Sequence, residues 1–129
     1  MKRTAIHTPD IMQAGPYSNA VDSEGLVFLS GQTAVDQGTG TLLQGDIAAQ
    51  TRQCFNNLFA VLRAAGLTPD HVQKVTVFLT DMSNFQAMNA VYKECFAEPY
   101  PARTTLGVAA LPLGAAVEIE LIARRDRKE

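Results

Sequence analysis

Between residues 46 and 65 the chain carries apolar side chains at helical spacing. Thr51, Cys54, Phe55, Leu58, Leu62 and Ala65 recur at steps of three and four. Asp46 stands where a helix needs an acceptor for its first free N–H groups, and Gly66 stands where the chain must leave in a left-handed conformation. The spacing therefore predicts a long amphipathic helix that must lie on an apolar surface. Its neighbours have a different period. Leu26-Val27-Phe28-Leu29, bounded by Gly25 and by Ser30-Gly31, reads as a buried strand ending in a loop, and Asp36-Gln37-Gly38-Thr39-Gly40 reads as a turn. Residues 72–79 are rich in β-branched side chains on both faces, which predicts a central strand covered on two sides.

Ser83-Asn84-Phe85-Gln86 has the form of a capping box. The stripe Phe85, Met88, Val91, Tyr92, Cys95 and Phe96 then marks a second helix, which Pro99 and Pro101 end. Strands are expected over 103–109 and 117–124, joined by a turn at Leu111-Pro112-Leu113-Gly114. In the last strand Val117, Ile119, Leu121 and Ala123 share one face, and Glu118 and Glu120 share the other. The order β, β, β, α, β, α, β, β predicts a two-layer α+β fold, a mixed β-sheet with two helices packed on one face. No repeat or linker interrupts the 129 residues, so residues 1–129 are expected to form one domain.

Composition then removes whole classes of function. Eleven basic against thirteen acidic side chains give a net charge of −2, which disfavours a nucleic-acid partner, since binding duplex needs a basic face to displace counterions. Nowhere do about 18 apolar residues follow one another, so no membrane span is expected. The charged start Met1-Lys2-Arg3 has no apolar run behind it and does not read as a signal peptide. Cys54 and Cys95 lack the spacing of a zinc site or redox dithiol, and both fall on the apolar stripes of the helices as reduced thiols. A cytoplasmic, reducing compartment fits these features.

Each polar candidate has a plain alternative. His7, in an expected edge strand, and His71, in a turn, lack the partners of a hydrolytic triad and read as surface histidines. Gly38-Thr39-Gly40 completes no phosphate-binding fingerprint. The basic run at 124–129 is interrupted by Asp126 and ends in Glu129, which suits a solvated tail better than an RNA-binding patch. Arg103 follows the stiff segment Pro99-Tyr100-Pro101-Ala102 and opens an apolar strand. A guanidinium fixed in this way can grip a carboxylate, or it can serve as an internal partner for Glu118 or Glu120. Glu118 on pattern alone belongs to the wet face of a sheet. Ser30-Gly31-Gln32 is either a strand exit or a place where a ligand approaches the main chain closely.

Taken together, Gly15-Pro16-Tyr17, Val27-Phe28-Leu29-Ser30-Gly31-Gln32, the helix opening Asp46-Ile47-Ala48-Ala49-Gln50-Thr51, residues 74–81, Asn89-Ala90-Val91-Tyr92, Pro101-Ala102-Arg103 and Val117-Glu118-Ile119-Glu120 resemble the RidA family of the YjgF type. The resemblance implies a chorismate-mutase-like α+β fold, a homotrimer with a site in each cleft between subunits, and no metal or cofactor. It also implies hydrolysis of reactive enamine/imine intermediates, typically 2-aminoacrylate through 2-iminopropionate, to pyruvate and ammonia. On this resemblance Arg103 would hold the carboxylate of a small imino or keto acid, and Glu118 would position or activate water. Gly31 would present its N–H with Ser30 beside it, and Tyr17, Asn89 and Tyr92 would line the cleft. Many members of the family carry Cys two residues after the arginine, where this chain has Thr105. A thiol is not needed for water addition, so activity is expected to survive this departure. Other readings are a deaminase of a different intermediate, a trimer that binds small carboxylates without turnover, and an endoribonuclease.

Overall fold

In the computed structural model, which describes residues 3–127, the Asp46 carboxylate accepts the N–H of Ala49 at 2.9 Å and helix α1 runs Ile47–Ala64. Gly66 takes φ +76°, its N–H reaches the Arg63 carbonyl at 3.0 Å, and the Leu67 N–H reaches Leu62 at 2.9 Å. That is the paired closure that a left-handed residue past the helix end allows. Before α1 lie β1 (Thr4–Ile6), β2 (Ala20–Ser23), β3 (Leu26–Gln32) and a small hairpin of β4 (Val35–Asp36) and β5 (Thr41–Leu42). After it come β6 (Val72–Leu79), α2 (Phe85–Cys95), β7 (Ala102–Gly107) and β8 (Val117–Arg124).

Six strands form one sheet in the order β1-β2-β3-β8-β6-β7. Among the described residues only β6 and β7 are parallel, and α2 supplies the crossover between them that a parallel pair requires. This is the expected mixed sheet with two helices on one face. The core lies between the layers. Phe55, Leu58 and Leu62 of α1 and Met88 of α2 are fully buried with Val27, Val75, Val77, Leu79, Val117, Ile119 and Leu121 of the sheet. Thr51 and Asn57 are the buried polar residues of α1, and Thr51 turns its hydroxyl back to the Ile47 carbonyl at 2.7 Å. The Asn57 side-chain amide donates to the carbonyls of Thr33 and Val35, at 3.3 and 2.9 Å, and so pins the loop after β3 to the helix.

Several expectations need correction. Five strands rather than three precede α1, since the turn at 36–40 joins the small hairpin β4-β5, and β3 continues through Ser30-Gly31 to Gln32 instead of ending before them. The strand predicted over 103–109 is Ala102–Gly107. The capping box at Ser83 does not form. Asp81 accepts the Ser83 N–H at 2.9 Å, a 3-10 turn occupies Met82–Asn84, and α2 starts directly after it, at Phe85, without a side-chain cap. Asp81 is a charged acceptor placed two residues earlier and satisfies the free donor first. Finally, β6 is central but helices cover only one of its faces. Val72, Val75, Val77 and Leu79 are buried, whereas Lys74, Thr76 and Phe78 on the far face are half-buried. Phe28, 40% exposed, and Leu106, 37% exposed, lie on the same uncovered face. A β-branched run tells that a strand lies inside a sheet, but not what lies above each face.

Candidate functional site

Arg103 reaches the helix face because its strand is in register with β6, where it pairs with the buried Val75. There the guanidinium meets α2. Its Nη1 donates to Asn89 Oδ1 at 2.7 Å, and the group lies 4.5 Å from the ring centre of Tyr92 and 5.5 Å from that of Phe85. The two rings and the amide hold the fork in place and leave other N–H donors free. Among the described residues no carboxylate comes within 4.0 Å of it, so a half-buried cation stands without a counterion. It opens on a concavity of about 500 Å³ lined by Asn89, Tyr92, Lys93, Tyr100, Pro101 and Arg103.

Tyr92 is buried, and its hydroxyl finds no partner among the described residues. Burial raises its phenol pKa, and the nearby Arg103 charge opposes that rise. Thr105, two residues along β7, turns to the same face, and its Oγ1 is likewise buried without a partner. A fork of free N–H donors beside two unpartnered hydroxyls is chemically suited to a small anion with a planar, hydrogen-bonding head.

Glu118 occupies a different place. Leu29 pairs with Leu121 and Gln32 with Ile119, so Ser30 and Gly31 together oppose Glu120 alone. The Ser-Gly-Gln segment is therefore a β-bulge, the device that re-aims side chains at the end of a strand. Gly31 lies directly against Glu118. A Cβ there would sit 3.1 Å from the carboxyl carbon. Ser30 donates its hydroxyl to the Ser18 carbonyl at 2.6 Å, and its N–H to Asn19 at 3.0 Å, tying down the loop that carries Tyr17. Tyr17, 45% exposed, folds its ring over Gly15 and lines a second concavity of about 430 Å³ with Gly31, Gln32, Leu113 and Glu118. Burial pushes the Glu118 carboxyl above its ordinary range, and the charge of Glu120 adds to this. Gly31→Ala forces Glu118 to move by a few tenths of an ångström.

The two halves lie on opposite faces of one sheet. Arg103 follows Val75 onto the helix face, whereas Glu118 pairs with Phe78 on the uncovered face. One chain thus brings Arg103 together with Asn89 and Tyr92, and Glu118 together with Gly31 and Tyr17, but does not bring the two groups to each other. The alternative of Arg103 as an internal partner for Glu118 or Glu120 falls for the same reason.

The remaining candidates stand apart from both concavities. His7 is exposed just beyond β1 rather than within it. His71 accepts the Thr68 N–H at Nδ1 and faces Asp126 at 3.0 Å through Nε2. Cys54 is buried, and Cys95 is half-buried with its thiol pKa pushed up to about 11 by burial. Of the basic run, Arg125 pairs with Asp22 at 2.7 Å, while Lys128 and Glu129, like Met1 and Lys2, lie outside the described residues. The sequence reading missed Lys93 and Tyr100 beside Arg103, and Leu113 beside Glu118. Tyr100 alone carried a signal, as the aromatic residue between two prolines.

Residues 8–125 match the model of the family described as Endoribonuclease L-PSP. The chain is 43% identical over 109 residues to the 2-iminobutanoate/2-iminopropanoate deaminase of Capra hircus, covering 84% of this chain and 80% of that protein. Its fold superposes on the crystal structure of RidA from Psychrobacter sp. PAMC 21119 with a TM-score of 0.90 and 43% identity, over 95% of this chain and all of that one. The structure of Escherichia coli TdcF with bound serine is similar at a TM-score of 0.89 and 40% identity, over 95% of this chain and 99% of that one.

Proposed function

Because the chain belongs to the RidA (YjgF-type) family, we propose that it hydrolyses small 2-imino acids released as reactive enamine/imine intermediates, with 2-iminopropionate as the type substrate. The observation that carries this reading is Arg103. It is a half-buried guanidinium oriented by Asn89 and two aromatic rings, with no carboxylate of the described chain beside it. A planar imino acid supplies the missing carboxylate, and each hydrogen bond to such a charged group contributes about 1.5–3 kcal/mol. The serine bound to TdcF carries a carboxylate of the same kind.

Chemistry follows from what the other half offers. Water adds to the carbon of the protonated imine while Glu118 takes its proton. The carbinolamine then collapses as that proton passes to nitrogen and the freed Glu118 carboxylate takes the hydroxyl proton, so that the C–N bond breaks as C=O forms and a 2-oxo acid and ammonia leave. Imine hydrolysis is intrinsically quick, so orientation and one proton carrier suffice. A carboxyl whose pKa lies above its usual range is better matched to give the proton back than an ordinary glutamate. Gly31 stands against Glu118, so that its N–H would steady the ligand there, and Tyr17 lines the same concavity.

Since one chain holds the two halves on opposite faces, a complete site needs a second copy, and a closed ring of three copies completes three sites at once. The uncovered apolar face with Phe28 and Leu106 supports such an assembly. Two free thiols suit the reducing cytosol, and among the described residues no helix is long and apolar enough to cross a membrane.

Mixing is the test. Arg103→Ala and Glu118→Gln are each expected to keep about one hundredth of wild-type activity or less. Co-refolded at equal amounts, they should recover about one quarter of the wild-type sites, because random assembly pairs an intact Arg103 with an intact Glu118 at that frequency. Activity is read as loss of semicarbazide-trappable imine, with 2-aminoacrylate generated from serine by a pyridoxal-phosphate dehydratase. No recovery on mixing would place both groups in one subunit's site and overturn the shared cleft. A wild-type protein that binds 2-oxobutyrate yet leaves the imine lifetime unchanged would make it a binder without turnover.

A further inference from the structure

The concavity around Arg103 holds a second cation that the reaction above does not use. Lys93 lies one helical turn beyond Asn89 on α2, about 6 Å along the same face, and lines the same concavity. Its ammonium is exposed and makes no ion pair among the described residues. Glu94, its sequence neighbour, points elsewhere and is engaged by Arg52 at 2.7 Å. The positions three and four residues before it on the helix surface are Ala90 and Asn89, and those three and four after it, just past the end of α2, are Phe96 and Ala97, none of them acidic. Among the described residues no carboxylate lines this concavity.

We infer that Lys93 is a specificity-determining residue, and that the site favours 2-imino acids bearing a second carboxylate on a four- or five-carbon chain. The inference rests on Arg103 as the anchor of the first carboxylate. With that group held on the fork beside Asn89, an extended chain of this length carries the second one about a helical turn away, to the lysine. The reaction is otherwise unaltered: water adds to the imine carbon, the C–N bond breaks, and the products are a 2-oxo dicarboxylate and ammonia. Reactions that supply such a substrate are oxidations of acidic amino acids at their Cα–N bond. Lysine is suited to the outer position because its flexible stem follows chains of different length, whereas a guanidinium fork fixes one geometry.

Two arms test this. In the first, flavin-dependent amino-acid oxidases generate the imines of alanine and aspartate in situ, and kcat/KM is measured for wild type, Lys93→Met and Lys93→Glu. The diacid-to-monoacid ratio is expected to fall about five- to tenfold in Lys93→Met and further in Lys93→Glu, mainly through KM. For wild type the same ratio should decline as salt is raised from about 20 to about 300 mM, as screening weakens an exposed charge contact. In the second arm, calorimetry compares 2-oxoglutarate with 2-oxobutyrate and needs no turnover. Tighter binding of 2-oxoglutarate that Lys93→Met abolishes supports the inference, even if no imine is hydrolysed and the deaminase reading fails. Equal affinity for the two acids overturns the role of Lys93 while leaving the deaminase reading intact. So does a ratio that Lys93→Met leaves unmoved, or an assembly that the variant dissociates on a sizing column.

Discussion

Arg103→Ala is expected to lower kcat/KM for 2-iminopropionate by about three orders of magnitude. Two charge-assisted hydrogen bonds to one carboxylate are lost together, at about 1.5–3 kcal/mol each. The fold should tolerate the change. Arg103 sits on β7 at the edge of the sheet, and its intramolecular contacts are one hydrogen bond to Asn89 and two aromatic faces. Their loss should cost about 1–2 kcal/mol, readable as a modest fall in Tm. Arg103→Lys is expected to recover little, since a point charge cannot hold Asn89 and a carboxylate in one plane. Turnover within tenfold of wild type in a folded Arg103→Ala protein would remove this residue from its assigned role.

Glu118→Gln should separate activity from stability. Without a proton acceptor, kcat is expected to fall about a hundredfold. For wild type, kcat should rise with pH through the elevated pKa of Glu118 and then level, and the variant should lose that limb. Stability moves the other way. Burial makes ionisation harder in the fold than in the unfolded chain, so folding favours the protonated carboxyl. That advantage is fully present below the unfolded pKa and disappears as pH climbs through the raised folded value. At neutral pH wild type therefore carries a small penalty that the Glu118→Gln variant does not, reduced by the partial solvent access of the group. Urea melts at about pH 4 and about pH 7.5 should show the variant gaining on wild type at the higher pH. A gain at the lower pH would mean that the carboxylate is stabilised by something on the uncovered face.

Much of the fold was legible because its signals were local. The α1 helix has a period, an acceptor at Asp46 and a left-handed exit at Gly66, and all three act within a few residues. Ser83 misleads because Asp81 competes for the same free N–H, and a motif of four residues does not include its rival. Arg103 and Glu118 stand out in the sequence as charges in apolar strands, and their faces can be read from alternation. What alternation lacks is register between strands. Only the pairing of β7 and β8 with β6 reveals that the two charges point in opposite directions. The extra residue at Ser30-Gly31 is visible only as a glycine after an apolar run, since a bulge is defined by its partner strand. Lys93 looks like any solvated helix lysine, because the wall that faces α2 across the concavity comes from Tyr100, Pro101 and Arg103, which follow the helix in the chain.

The two-faced sheet has a consequence for dosage. If each cleft borrows its water-activating carboxylate from one copy and its anchoring guanidinium from another, specific activity is not a fixed property of the polypeptide. It depends on how often copies meet. Below the concentration at which the ring assembles, every molecule would remain folded on its own core, with both halves intact and nothing to cut. Dilution alone would then silence the protein with no inhibitor, and modest overproduction would raise output more steeply than in proportion to the amount made. A deaminase assembled on these terms would work as a threshold device, idle when scarce and competent once enough copies are present.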